Sequence, residues 1–331
     1  MRGDGWGFRV TTECVLLADV GGTNARFAIA ERLTASPDIR PILKDFWKTP
    51  GDAYGSFTEA ALAYLRKTDA RPDRAVFAVA GPVIGNQVHF TNRDWSISAK
   101  AVSASLHIEH VELINDFVAM SRSVPLLNDM EQTPIRAGAA EPKSNYVVAG
   151  PGTGFGLAAV APLGNDFLVM GGEGGHQAFS PQDAYEIELL KALQIKHGYV
   201  SIENVAAGMA FESVLEVTFE IFGKTAETLT PAEVLDRANA GDEMCRTFCQ
   251  MRANVAMSAI GDAVLATNAR GGAWLAGGVS ARIKDFLLTE EAEQRFSQRG
   301  PKTELMADIP VNLITSDEAA LIGAAAYRRI G

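Results

Sequence analysis

The sequence predicts an α/β protein built from two domains, and three observations predict it. Short apolar runs of strand length come first in the chain and are then mixed with longer runs at helical spacing. A strand, glycine loop and strand follow one another near the N-terminus, and the same arrangement returns near residue 150. The length of 331 residues suits about two domains at roughly 150 residues each.

The elements follow in chain order. Cys14–Val20 and Ala25–Glu31 are apolar runs separated by Gly21-Gly22-Thr23-Asn24, which reads as a β-hairpin. Gly55–Arg66 carries Phe57, Ala61, Leu62 and Leu65 at helical spacing. Ala75–Ala80 and Val111–Ile114 read as buried strands, the second followed by the helical stretch Phe117–Arg122. Pro125, Pro134 and Pro142 then interrupt the pattern and place a domain change near residues 120–140. Tyr146–Ala149 and Leu157–Ala161 repeat the strand pair, and Phe167–Met170 follows the turn Gly164-Asn165-Asp166. Asp183–Gln194 and one long tract, Val205–Phe222, read as helices stopped by Gly198 and Gly223. Ala232–Ala240 and Asp242–Ala266 are also helical, Ala273–Leu275 is a short strand, and Glu318–Arg329 is a closing helix. The expected small domain spans 12–120 plus 316–331, and the large one 121–315.

Composition narrows the partners. With 30 Lys+Arg against 40 Asp+Glu the formal net charge is −10, while 47% hydrophobic and 21% charged residues are ordinary for a globular chain. That balance argues against nucleic acid or an anionic membrane as partner, but leaves room for a small anionic ligand held by a local field. Cys14, Cys245 and Cys249 are an odd set in a long chain, so a secreted disulfide framework is not expected. Cys245 and Cys249 sit four apart with no second Cys or His pair nearby, and read as buried thiols. The apolar run Cys14–Ala18 stops at Asp19, too short for a signal peptide. The uncharged stretch Tyr146–Asn165 is broken by glycines and prolines that read as turns. A soluble, cytoplasmic protein is expected.

The two glycine loops carry the first chemical hint. Leu17-Ala-Asp19-Val-Gly21-Gly22-Thr23 and Val148-Ala-Gly150-Pro-Gly152-Thr153-Gly154 both set Gly-Thr in a tight turn after an apolar strand. Such turns let backbone N–H groups approach an anion, and the threonine adds a hydroxyl; alone, each is also a plain hairpin turn. No Gly-x-x-x-x-Gly-Lys-Ser/Thr occurs, which excludes a P-loop at the motif level. Gly154-Phe-Gly156-Leu-Ala-Ala159, with Glu173 downstream, matches a relaxed dinucleotide pattern. That pattern needs a helix after the glycines, and Leu157–Ala161 reads as a strand.

Asp19-Val-Gly21-Gly22-Thr23-Asn24-Ala-Arg26 resembles the first phosphate motif of the actin-like ATPase superfamily that includes the hexokinases. Gly150-Pro-Gly152-Thr153-Gly154-Phe-Gly156 is similar to the second, and Leu275-Ala-Gly277-Gly278-Val-Ser280 to the adenosine motif. Ile114-Asn115-Asp116-Phe117 resembles the sugar-kinase segment with the catalytic aspartate. Gly172-Glu173-Gly-Gly-His176 and Ser201-Ile-Glu203-Asn resemble the sugar-binding segments of bacterial glucokinases, the enterobacterial type in particular. The ordered set covers residues 15 to about 326.

The resemblance implies a two-domain actin-like, ribonuclease H-like fold with an active-site cleft between the domains. It implies phosphorylation of the glucose 6-hydroxyl by ATP with Mg²⁺, and a homodimer. Asp116 would be the general base; read alone, it is a helix cap or first-turn acid. Asn115, Glu173, His176 and Glu203 would hold sugar hydroxyls, joined by Asn92 beside Trp95 in Phe90–Trp95. Read alone, Glu173 and His176 form a surface turn, Glu203 is a solvated acid near a helix start, and Trp95 is a core residue. Asp19 would face the Mg²⁺–phosphate group through water, with Gly21, Gly22, Thr23 and Asn24 around it. Gly152, Thr153 and Gly154 would hold phosphate, and Gly277 and Gly278 the nucleoside. Simple alternation along the strand allows Arg26 to point away. The related repressor–kinase family adds a cysteine-rich zinc motif after the histidine; Gln177–Ile202 has no Cys, so neither a structural zinc nor a protein-ligated metal is expected. A kinase for mannose or fructose, a non-catalytic sugar sensor and a nicotinamide oxidoreductase are the rival readings. The intact Asp116 disfavours the sensor, and the strand after Gly156 disfavours the oxidoreductase.

Overall fold

The computed structural model describes residues 12–33, 39–90, 95–164 and 166–328. The chain divides into two compact units. One comprises Met1–Leu127, Leu163–Phe167 and Asp317–Gly331; the other comprises Asn128–Pro162 and Leu168–Ser316.

In the first unit, β1 (Thr12–Val20) and β2 (Asn24–Leu33) form the expected antiparallel hairpin, and β3 (Ile42–Pro50) extends it. Helix α1 (Phe57–Thr68) is capped by Ser56, whose hydroxyl accepts from the Glu59 N–H. After β4 (Arg74–Val79), the short pair β5 (Gln87–His89) and β6 (Ser96–Ser98) precedes α2 (Ala99–Leu106), β7 (His110–Asn115) and α3 (Asp116–Ser123). The main sheet has the order β3-β2-β1-β4-β7, with β1, β4 and β7 mutually parallel. Alternation along β1 explains its continuous apolar run. Leu16, Ala18 and Val20 enter the core shared with α1, while Val15 and Leu17 enter the one on the opposite face.

The second unit opens on β8 (Gln132–Arg136), where the prolines suggested a break. Pro134 is tolerated because β8 is the last strand of its sheet, and the register with its neighbour slips there. β9 (Tyr146–Pro151), β10 (Phe155–Leu163) and β11 (Asp166–Gly172) follow, and then α4 (Ala184–His197). The expected single helix over Val205–Phe222 is two: α5 (Glu203–Ala206) and α6 (Phe211–Ile221). The chain turns extended at Ala207, and the N–H groups of Gly208 and Met209 leave the helical ladder for the carbonyls of Gly152 and Thr153. Next come α7 (Pro231–Asn239), the 25-residue α8 (Glu243–Thr267), β12 (Ala273–Leu275), α9 (Gly278–Arg282), α10 (Lys284–Leu287), α11 (Glu290–Ser297), α12 (Thr303–Ala307) and β13 (Val311–Ile314). Sheet order is β11-β10-β9-β12-β13-β8, so its first five strands repeat the neighbour order of the other unit. Cys245 and Cys249 lie on the buried side of α8 as free thiols.

The chain returns to the first unit with α13 (Ala319–Ala325), shorter than the closing helix expected. It packs on α3 so closely that a Cβ on Gly323 would overlap the Ala119 carbonyl oxygen. No described helix is long and apolar enough to cross a membrane.

Candidate active site

Parallel register brings the chemistry of the first unit to one sheet edge. Asp19 lies level with Ala78, which lies level with Ile114, so Asp19 and Asn115-Asp116 leave β1 and β7, the two strands that flank β4, at their carboxyl ends. Arg26 stands directly opposite Asp19 across the hairpin, and its Nη1 donates to Asp19 Oδ2 at 2.9 Å. Cross-strand pairing thus turns Arg26 toward Asp19, where alternation alone allowed it to point away. Arg26 Nη2 also lies 3.8 Å from Asp317, ahead of α13.

Asn115 rather than Asp116 caps α3. Its Oδ1 accepts from the N–H groups of Phe117 (2.9 Å) and Val118 (3.3 Å), and its Nδ2 donates to Gly81 O. The Asn115 side chain also hydrogen-bonds the Asp116 carboxyl, whose Oδ1 accepts from the Phe117 N–H at 2.9 Å as well. Asp116 is the first helical residue, and burial pushes its carboxyl up to about 7. The negative charge of Asp19 adds to the rise, while the N–H groups at the helix start oppose it. Burial likewise raises the Asp19 carboxyl against the pull of Arg26. At the hairpin tip Gly21 N–H donates to Asn24 O and Gly51 N–H to Thr23 O, leaving the Thr23 side chain exposed. Gly22 lies in the same turn, half-buried.

The second unit carries the other candidates. Gly152 N–H donates to Gly154 O across the β9–β10 turn, and Thr153 is exposed at its tip. The neighbouring β12 runs parallel to β9, so Gly277 emerges beside this loop. Gly277 has φ of 94°, and a Cβ there would strike the Pro151 carbonyl oxygen. Gly278 starts α9 with open space where its side chain would be. Glu203, at the start of α5, reaches back so that its Oε2 accepts from Phe155 N–H at 2.8 Å. A Cβ on Gly154 would collide with that carboxylate. His176 Nε2 lies 4.0 Å from Glu203 Oε1. The Glu-Gly-Gly-His turn is seated on β10, where side chains at Gly174 and Gly175 would strike Leu157 and Phe155. Glu173 is exposed at its start. Loop, turn and α5 are thereby one cluster within this unit.

Asn92 lies outside the described residues. Trp95 is buried, its indole N–H donating to Tyr54 O. Among the described residues no three His, Cys, Asp or Glu side chains gather as a metal site.

The family model for glucokinase matches residues 16–330. The chain belongs to the glucokinase family. It is similar to a glucokinase of Caulobacter sp. (strain K31), 36% identical over 94% of this chain and 93% of the relative. It also matches a bifunctional protein of Burkholderia lata at 34% identity, spanning 94% of this chain but only about half (48%) of that relative. A crystal structure of glucokinase from an Antarctic psychrotroph superposes with a TM-score of 0.84 at 35% identity, over 95% of this chain and 98% of that one. This glucokinase-family chain therefore has the two-unit α/β fold of the actin-like sugar kinases.

Two features of this cluster escaped sequence reading. The 207–209 turn and the buried Arg252 of α8, which donates to the carbonyls of Ala206 and Ala207, both act on the Glu203 segment. Gly208 was read as lying inside the helical tract Val205–Phe222, and nothing in the sequence linked Arg252 to Glu203.

Proposed function

We propose that the chain transfers the γ-phosphoryl group of MgATP to the 6-hydroxyl of glucose, with Asp116 as general base. The observation that carries this reading is the Asp116 carboxyl, half-buried at the end of β7, which burial and the charge of Asp19 push up to about 7. A base of that strength is ionised for about half of the molecules at neutral pH and still accepts a proton readily. The sugar oxygen would attack the γ-phosphorus as the bond to the bridging oxygen of ADP breaks, and the hydroxyl proton would pass to Asp116.

The remaining residues support binding. Asn115, Glu173, His176, Glu203 and, from sequence alone, Asn92 would hold sugar hydroxyls. A carboxylate left unpaired by a wrong epimer gives such a site its selectivity. Gly21, Gly22, Thr23 and Asn24, with Gly152, Thr153 and Gly154, would cradle phosphates through N–H groups and the two exposed threonine hydroxyls. Gly277 and Gly278 would let the nucleoside lie against bare backbone. The half-buried carboxylate Asp19, with Asp116 near enough to feel its charge, is a hard-oxygen set suited to Mg²⁺ that is otherwise held by phosphates and water. Bound there, Mg²⁺ would offset the charge of the phosphates. Asp19 would orient its water shell, with Arg26 fixing the Asp19 rotamer.

Homodimeric state and cytoplasmic location belong to the same proposal and rest on the family resemblance. The test is Asp116→Asn in a coupled assay. Turnover should vanish while glucose binding persists; normal turnover would remove the base assignment.

A further inference from the structure

Arg252 sits in the middle of α8 and is 4% exposed. Its Nη2 donates to Ala206 O at 2.7 Å and to Ala207 O at 2.6 Å, the carbonyls that end α5. Its guanidinium lies over the rings of Phe211 and Phe248, and its Nε has no hydrogen-bond partner. Among the described residues no carboxylate pairs with it. Burying a cation this way is costly, and two aromatic faces and two carbonyls offset only part of the cost. Packing alone would be better served by an apolar side chain of the same length.

The clamped segment is also bonded three times to the β9–β10 loop. Glu203 Oε2 accepts from Phe155 N–H at 2.8 Å, Gly208 N–H donates to Gly152 O at 2.8 Å, and Met209 N–H donates to Thr153 O at 3.0 Å. Gly208 is held so near the loop that a Cβ would lie 2.8 Å from Gly152 O. The segment that carries a sugar-binding carboxylate is thus stitched at both ends to the loop read as holding phosphate.

We propose that residues 203–209, anchored by Arg252 as a positioning residue, set the sugar carboxylate and the phosphate loop together, so that disturbing the anchor weakens both substrates at once. This rests on the kinase reading above. A role in stability alone would lower the unfolding temperature and leave both substrate constants in place.

The experiment compares the unaltered chain with Arg252→Met, Arg252→Lys and Gly208→Ala. KM for glucose, KM for ATP and kcat come from a coupled assay, and thermal unfolding identifies the folded variants. Arg252→Met keeps the stem and removes the clamp, and should raise both KM values by about tenfold. Arg252→Lys restores a donor and should recover part of that loss. Gly208→Ala forces the loop and segment apart and should raise both constants while Arg252 is intact. Should Arg252→Met fail to fold, the other two variants carry the same comparison. A folded Arg252→Met or Gly208→Ala variant that keeps both KM values within about twofold of the unaltered chain overturns the proposal, as does a folded Arg252→Lys variant that recovers none of the Arg252→Met loss. A rise in only one of the two KM values also overturns it. If the unaltered chain makes no sugar phosphate, the kinase reading fails and this one falls with it.

Discussion

Asp116 is held where its ionised form is disfavoured, and that cost makes it a base near neutrality. Its carboxyl is raised from the ordinary carboxylate range to about 7, so the folded protein binds more protons than the unfolded chain between about pH 4 and 7. The stability this group contributes is therefore fully present at low pH and lost as pH rises through 7. Asp116→Asn should then do two things: abolish turnover, and raise stability at pH 8 by about 1–2 kcal/mol, an advantage that disappears near pH 4. Thermal melts at the two pH values check the sign. The rate should carry the same group: kcat/KM falls below about pH 7 as the base protonates. Because the charge of Asp19 raises Asp116, Asp19→Asn should move that inflection downward in a pH–rate profile, whatever it does to the maximum. An unmoved inflection would mean that burial alone sets it. Sequence placed Asp116 at a strand end, but could not show that Asn115 takes the cap and that its side chain also hydrogen-bonds the Asp116 carboxyl. Capping is decided by backbone angles that two adjacent polar residues leave open.

At the scale of elements, the helix that begins with Asp116 is located by its contact with α13. Small residues on α13 let the two backbones meet, and Gly323 lies against the Ala119 carbonyl. Gly323→Ala puts a methyl group where no space exists, so α3 must shift and carry Asp116 with it. The expected result is a loss of about 1–3 kcal/mol of stability and roughly tenfold or more of kcat, read by denaturant unfolding and the coupled assay. Normal kcat in a destabilised variant would separate packing from catalysis. Hairpins and long helices were legible because alternation and helical spacing repeat within each segment, as in β1 with β2 and in α8. The split of Val205–Phe222 was not, because the N–H groups that leave the helix pair with carbonyls of Gly152 and Thr153, more than fifty residues away. β8 hid behind Pro134, which an outermost strand accepts and an inner strand would not.

Over the whole molecule, the same neighbour order of five strands occurs in both units, and each contains a glycine-loop hairpin, β1–β2 in one and β9–β10 in the other. The short echo between the two loops in the sequence thus corresponds to a repeated arrangement of strands. Neither loop contains a lysine, so a chain of net charge −10 would meet phosphate through N–H groups, threonine hydroxyls and Mg²⁺. Acidic composition and a nucleotide substrate are compatible on those terms. The central claim is a phosphoryl transfer, and the most direct measurement is glucose 6-phosphate formation by the purified, folded chain with ATP, glucose and Mg²⁺, read by coupled oxidation of the product. The account predicts one glucose 6-phosphate per ADP formed, with activity abolished by Asp116→Asn and by chelation of Mg²⁺. A folded chain that binds glucose and yet forms no glucose 6-phosphate would contradict it.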